Sequence, residues 1–258
     1  LVHNRETKFC ALRHGEMELN LTFLGHSAFC IEVGGLVVYT DPYIQAPVDI
    51  SRLPKADLVL FSVGHFDHGA LMARELFERW DCTFVGPRAL IQWMARKYKR
   101  KIPANRLIAI EHNETINFKG LEITAVPAHR PLNRLGKTIL TLFARSSAPG
   151  KPVNGYYFSG FYHGGATKYS PLIAQALHGK KIHTALLPIG GKYATATPAE
   201  ALKIAEEVNC KRLVPMHWQP LKEQVFFRYQ SSDLVKLARS SDSKVEVRAL
   251  AIGELLPL

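Results

Sequence analysis

The stretch Ser62-Val63-Gly64-His65-Phe66-Asp67-His68 puts three side chains able to bind a metal within four residues. It follows an apolar run, Asp57-Leu58-Val59-Leu60-Phe61, and precedes a helix-like segment that begins near Ala70. A loop at a strand end can splay neighbouring side chains around one point, which neither a strand nor one helical face does. Imidazole and carboxylate together suit zinc, iron or manganese. A polar loop whose histidines cap the next helix has the same composition, so the rest of the chain must decide. His129 follows the run Leu121-Glu122-Ile123-Thr124-Ala125-Val126, and His217 follows Leu213-Val214-Pro215-Met216. His65, Asp67, His68, His129 and His217 thus lie just after three separate apolar runs. Strand ends on one edge of a sheet converge, and open α/β sheets hold their ligands there.

The elements that must position these groups are legible from periodicity. Leu19 to Val33 alternates in the strand manner with a break at Gly25, and Gly34-Gly35 turns it into a strand over 36–40. Strands are expected at 57–62, 83–85, 107–110, 114–118 (turning at Lys119-Gly120 into the next), 121–126, 137–144, 155–160, 184–188, 213–217 and 244–250. Helices are expected at about 70–80, 88–100, 170–178 and 231–240. Another begins at Pro198, with Thr197 and Glu200 spaced as a capping box. Antiparallel hairpins with strand–helix alternation between them indicate an α/β fold of two sheets sandwiched between helices. No linker divides the chain, so the expectation is an N-terminal extension or tail over 1–16 and a single domain over 17–258.

Composition narrows the partners. The 258 residues are 47% hydrophobic and 21% charged, as in an ordinary globular chain. No apolar run approaches the ~18 residues of a membrane span. Cys10, Cys30, Cys82 and Cys210 are far apart and form no Cys-x-x-Cys pair, which predicts reduced thiols and a cytoplasmic protein. The net charge of +11 favours anionic partners: a small anionic substrate, nucleic acid or an acidic membrane surface. The densest basic run, Arg96 to Lys101, reads as the solvated end of a helix or as a docking patch.

From about Leu19 to Trp218 the sequence resembles the metallo-β-lactamase-fold superfamily, in the branch around ascorbate-6-phosphate lactonase and related metal-dependent hydrolases. The segments that carry the resemblance are Phe23-Leu24-Gly25-His26-Ser27-Ala28-Phe29 with Asp41-Pro42-Tyr43, then Val126-Pro127-Ala128-His129. Leu187-Pro188-Ile189-Gly190-Gly191 with Thr197-Pro198-Ala199-Glu200-Ala201 follows, and then Pro215-Met216-His217-Trp218. The resemblance implies an αββα sandwich of two mixed sheets with its site at one sheet edge. It also exposes departures. The family motif is His-x-His-x-Asp-His, and its first histidine is Val63 here. The family's Gly-Asp-Thr turn, whose Asp bridges two metals, matches Gly160-Phe161-Tyr162, which places aromatic bulk where the family places charge.

Carried over residue by residue, one metal position keeps only His65 and His129. The other keeps Asp67, His68 and His217, three ligands with one position open, as in a catalytic zinc. The resemblance therefore implies one zinc (or manganese or iron) ion per chain, with Asp67 and His68 as the catalytic pair. His163 is a candidate replacement nitrogen, and His26 and Asp41 are candidates to orient the ligands. Two functions follow. One is a hydrolase of an anionic ester, lactone or phosphodiester, its substrate drawn by Arg130 and Lys192, with Arg134 and Lys137 nearby in sequence. The other is a catalytically silent scaffold that binds an acidic ligand, nucleic acid or a protein partner.

Overall fold

In the computed structural model, residues 19–44, 48–130, 148–191, 195–218 and 228–258 are described. The expected N-terminal tail, the strand expected over 137–144, Cys10, Arg134, Lys137 and Lys192 lie outside them.

The chain opens as an antiparallel meander, β1 (Asn20–Gly25), β2 (Ala28–Val33) and β3 (Leu36–Thr40), closed by the Gly34-Gly35 turn. Strand–helix alternation then adds β4 (Leu58–Leu60), α1 (Ala73–Trp80), β5 (Thr83–Gly86), α2 (Arg88–Lys97) and β6 (Leu107–Ala109). Each of these strands pairs in parallel with the one before it, from β3 onward. The second half mirrors this order. The strands β7 (Thr115–Phe118), β8 (Leu121–Pro127), β9 (Asn154–Phe158) and β10 (Phe161–His163) form antiparallel pairs. Next come α3 (Pro171–Ala176), β11 (Thr184–Pro188), α4 (Pro198–Glu207), β12 (Arg212–Met216), α5 (Ser231–Ser240) and β13 (Glu246–Val247), with parallel pairing from β10 to β13. The closing strand β14 (Leu255–Pro257) returns to pair with β1.

Among the described residues the result is two seven-stranded mixed sheets, in the order β14-β1-β2-β3-β4-β5-β6 and β13-β12-β11-β10-β9-β8-β7. The period-2 alternation of a strand explains the layers. Leu58 and Leu60 of β4 join Phe23, Phe29, Tyr156, Phe158, Phe161, Leu186 and Val214 between the sheets. The intervening Val59 and Phe61 face outward and pack with Leu76, Trp80, Leu90 and Met94 of α1 and α2. On the other side, Ala185, Leu187 and Leu213 pack with Ile173, Ala201, Ala205 and Leu234 of α3, α4 and α5. Helix α4 starts as its sequence predicts: Thr197 Oγ1 accepts from Glu200 N–H, and the Glu200 carboxylate accepts from Thr197 N–H. This is the expected αββα sandwich.

The strands absent from the expectation are short. Three-residue β10 and β14 give periodicity too few residues to register. Among the described residues no helix is long and apolar enough to cross a membrane.

Candidate metal centre

Four chain segments meet at one end of the sandwich. The β1–β2 turn carries His26 and Ser27, β3 ends at Thr40 before Asp41, β4 leads into Ser62–His68, and β12 ends before His217. The ends of β3 and β4 coincide because these strands run parallel with Thr40 opposite Leu60. Hydrogen bonds tie the two sheets together here. His217 N–H donates to the His26 carbonyl at 2.7 Å, Asn154 N–H to the Ser62 carbonyl at 3.0 Å and the Tyr156 hydroxyl to the Phe61 carbonyl at 2.7 Å.

His26, Asp41 and His217 have φ of +52°, +41° and +59°. Left-handed backbone costs a non-glycine residue about 1–2 kcal/mol, so it persists only where surrounding contacts impose it, often at functional sites. Gly69 answers the same demand without that cost. With φ of +78° it ends the 3₁₀ turn Phe66–His68, and a Cβ there would lie 2.5 Å from the Pro42 carbonyl oxygen.

The donor atoms of His26, Asp67, His68 and His217 all lie within 4.8 Å of one another, and all four residues are buried. Asp67 Oδ2 is 3.3 Å from His26 Nε2 and 3.9 Å from His217 Nε2. Two ligands on one tetrahedral zinc stand about 3.3 Å apart, given Zn–N and Zn–O bonds near 2.0–2.1 Å. His68 is set up as a donor. Its Nδ1–H donates to Asp41 Oδ2 at 2.7 Å, leaving Nε2 buried with no hydrogen-bond partner. Asp41 is itself fixed by Ser62, whose hydroxyl donates to Oδ2 at 2.6 Å and whose N–H donates to Oδ1 at 2.7 Å. A carboxylate behind a ligand histidine fixes both tautomer and ring orientation.

The electrostatics of His26, His217 and Asp67 agree with a cation-ready centre, whereas a cation at His68 has a proton to displace. Burial holds His26 below the ordinary imidazole range, and burial with the neighbouring His26 holds His217 well below it. Neutral imidazoles are what a metal requires. Burial alone would raise the Asp67 carboxyl, but the hydrogen bond from His26 and the nearby His68 outweigh it and keep Asp67 well below its usual range. Burial would likewise lower His68, and the Asp41 carboxylate against Nδ1 turns the shift upward. The donor set, its spacing and the bare His68 Nε2 fit a divalent cation.

The structure thus gathers Asp67, His68 and His217 of the five sequence-expected ligands, and adds His26. It does not bring His65 or His129 into that group. The His65 ring is taken by Arg130, whose guanidinium Nη1 is 2.7 Å from Nδ1 and 3.2 Å from Nε2. Gly150 closes the other side, where a Cβ would fall 2.5 Å from His65 Nε2. His129 is exposed. It leaves β8 in extended form, with its N–H donating to Thr167 Oγ1 at 2.9 Å and its carbonyl accepting from Lys168 N–H at 2.7 Å. Alternation along that segment turns His129 out and Arg130 in. His163 is buried with both ring nitrogens engaged, Nε2 with the Ser27 carbonyl at 3.1 Å and Nδ1 with Gly165 N–H at 3.3 Å, so it supports the His26–Ser27 turn. Asp41 is hydrogen-bonded to His68, and His26, expected beside it as an orienting residue, is in the cluster itself.

The match of Gly160-Phe161-Tyr162 to the metal-bridging turn needs correction. Phe161 opens β10 opposite Thr184 and packs between the sheets, while Tyr162 faces the helices. The turn that reaches the centre follows β10, as Gly165-Ala166-Thr167. Gly165 takes φ of +60°, and a Cβ there would lie 2.8 Å from Ser62 Cβ. Ala166 then occupies the carboxylate's place and packs with Val63, Val153 and Ala128. Two positions that carry ligands in the resembling pattern are therefore a small apolar cluster. The apolar groups on this wall are Val63 and Ala166, whereas Phe161 and Tyr162 pack elsewhere.

A family model described as a β-lactamase superfamily domain matches residues 20–217. The chain belongs to that superfamily. A UPF0173 metal-dependent hydrolase of Methanopyrus kandleri is 31% identical over 207 residues, covering 78% of this chain and 84% of its own. Among solved structures, Igni18, a metallo hydrolase of Ignicoccus hospitalis, superposes with a TM-score of 0.73 at 23% identity, over 93% of this chain and 98% of that one. The metallo-β-lactamase fold protein YhfI of Bacillus subtilis superposes with a TM-score of 0.70 at 12% identity, over 94% of this chain and all of YhfI. These two likenesses are likenesses of fold. Within the superfamily, the sequence pattern left His26 least visible as a ligand: it precedes the main motif and lies in a hairpin turn. Its signal was the one shared by the others, a histidine directly after an apolar strand.

Proposed function

We propose that this protein is a metal-dependent hydrolase that holds one divalent cation per chain through His26, Asp67, His68 and His217. Its substrate is an anionic ester, lactone or phosphodiester. The observation that carries this reading is the bare, buried Nε2 of His68, backed by Asp41 and facing three further donors within 4.8 Å. The likeness to a protein named a metal-dependent hydrolase supports it. When bound, zinc, manganese or iron supplies Lewis acidity, polarising a carbonyl or phosphoryl oxygen and acidifying water.

The chain's own residues do the rest. Asp41 keeps the His68 proton on Nδ1, so Nε2 remains a lone-pair donor. Burial keeps His26 and His217 neutral for the same purpose. Asp67 is the single carboxylate of the cluster; held ionised, it serves as the anionic ligand. Val63 and Ala166 exclude water from one side. Those two residues also favour a second reading, a scaffold that binds an acidic ligand without turning it over.

Elemental analysis of the purified protein after reconstitution with zinc, manganese or iron tests the first reading, alongside hydrolysis of p-nitrophenyl acetate and bis(p-nitrophenyl) phosphate. One equivalent of metal is expected, with metal and turnover both lost in His26→Ala and in His217→Ala. No metal uptake from any of the three refutes the hydrolase, and one equivalent without turnover supports the silent scaffold.

A further inference from the structure

Arg130 presents an electrostatic anomaly beside the centre. It is 93% buried by its 7% relative exposure, and its Nε has no hydrogen-bond partner among the described residues. Among those residues no carboxylate lies within ion-pair distance of it, and the seventeen residues that follow it, 131–147, contain neither Asp nor Glu. Its one close polar partner among the described residues is the His65 ring, 2.7 Å from Nη1 at Nδ1. A buried charge with no paired carboxylate among the described residues is costly, and such a charge is often one that a ligand completes. Asp67 attracts the guanidinium but is already engaged with His26 in the metal cluster.

The location gives the anomaly meaning. Arg130 is anchored on His65, two residues from Asp67, and its backbone is pinned through the neighbouring His129 to Thr167 and Lys168. Val63, two residues before His65, packs with Ala166, and the resembling pattern has a histidine and a bridging Asp at these two positions. His65, which that pattern assigns to the other cation, therefore carries a guanidinium instead. A guanidinium is planar, permanently charged and matched to the two oxygens of a carboxylate or phosphate.

We propose that Arg130, seated on His65, is the oxyanion receptor of this centre and takes the place of a second cation, so that the substrate carries a carboxylate or phosphate group beside its scissile bond. The proposal deepens the hydrolase reading and rests on it for the single cation, but anion binding by Arg130 can be measured with no metal present.

The test is calorimetric titration of the full chain, metal-stripped and zinc-loaded, with inorganic phosphate and separately with acetate. Wild type is compared with Arg130→Gln and Arg130→Lys. Saturable binding of at least one anion is expected in both metal states. Arg130→Gln should weaken it at least about ten-fold, the loss of one charge-assisted hydrogen bond or more. Arg130→Lys, which keeps the charge and loses the fork, should weaken it less. The anion bound more tightly names the substrate group. Unchanged affinity in Arg130→Gln, or no saturable binding of either anion by wild type, overturns the proposal. A bound guanidinium without a counter-charge does not hold the fold together, so the thermal midpoint of Arg130→Gln should be no lower than that of wild type. Should that variant fail to fold, Arg130→Lys alone decides. Zinc stoichiometry reads the other half: one equivalent is expected, and two in wild type overturn the replacement. Zero zinc defeats the hydrolase reading, and the metal-stripped phosphate titration then still judges Arg130.

Discussion

Asp41→Asn is nearly isosteric and removes one charge from behind His68, which makes its consequences calculable. In the native arrangement Asp41 accepts three hydrogen bonds, from Ser62 N–H at 2.7 Å on Oδ1, and from the Ser62 hydroxyl at 2.6 Å and His68 Nδ1–H at 2.7 Å on Oδ2. An asparagine must put its NH₂ at one of these two places. At Oδ1 it meets the Ser62 N–H, donor against donor, and leaves a buried backbone group unpaired at a cost of about 1–3 kcal/mol. For a chain of this size that is a fall of about 2–10 °C in thermal midpoint. At Oδ2 the Ser62 hydroxyl can rotate to accept, but His68 must then carry its proton on Nε2. That tautomer has no lone pair to offer a cation, and loss of such a supporting carboxylate weakens metal affinity by about 10–100-fold. The substitution therefore lowers either stability or zinc affinity, and the pair of measurements shows which. Thermal unfolding of the metal-stripped protein reads the first, and zinc competition against a chromophoric chelator reads the second. A variant unchanged in both would mean that Asp41 does not fix the His68 tautomer, and the argument for His68 Nε2 as a donor would fail with it.

Phe161→Ala should cost about 3–5 kcal/mol in urea unfolding, as expected for an aromatic side chain removed from between the sheets, and leave zinc uptake unaltered. Phe161→Asp should fail to fold rather than gain a ligand; a folded variant with a second zinc would restore Phe161 to the metal-bridging turn. Cys30, Cys82 and Cys210 should resist a disulfide reagent at pH 8 in the native protein and react once it is unfolded, because burial pushes each thiol up to about 12 and leaves almost no thiolate at that pH. Rapid native reaction of any of the three would refute the packing described around them.

The layers of the sandwich were legible because strand and helix periods leave long signals. Val59 and Phe61 against Leu58 and Leu60 declare two buried faces, and Thr197 with Glu200 declares the start of α4. The position of the site was legible for a related reason: strands that end in histidine end together. What sequence could not supply was the direction of individual side chains beyond a strand end. His129 and Arg130 are adjacent, and a single step of alternation decides which of them enters the centre; the pinning of His129 by Thr167 and Lys168 is a tertiary contact with no local trace. His26 lay hidden because its left-handed backbone is imposed by the β12 end packing against it, through His217 N–H. The bridging turn was misplaced because Gly160 and Gly165 both offer a glycine turn next to β10, and only the strand's direction tells which of them reaches the cluster.

These differences bear on one another through charge. In the resembling two-metal pattern, two dications face two carboxylates, the motif Asp and the bridging Asp. Here Ala166 removes one carboxylate, Val63 removes a neutral ligand, and Arg130 brings one positive charge to the same wall. One dication and one guanidinium against Asp67 leave the same net charge as two dications against two carboxylates. Under the proposed single-cation reading, the field met by an anionic substrate would thereby be preserved, its source a side chain fixed by the fold in place of an ion. A guanidinium cannot acidify water or coordinate a leaving oxygen as an ion does, so the two halves of the centre divide their work. In the proposed arrangement, recognition of the anion is assigned to Arg130 and His65, and the chemistry to the cluster around His68. On that assignment His65 can give up its nitrogens to an arginine without emptying the site of purpose, and the fourth donor comes from the β1–β2 turn rather than from β8.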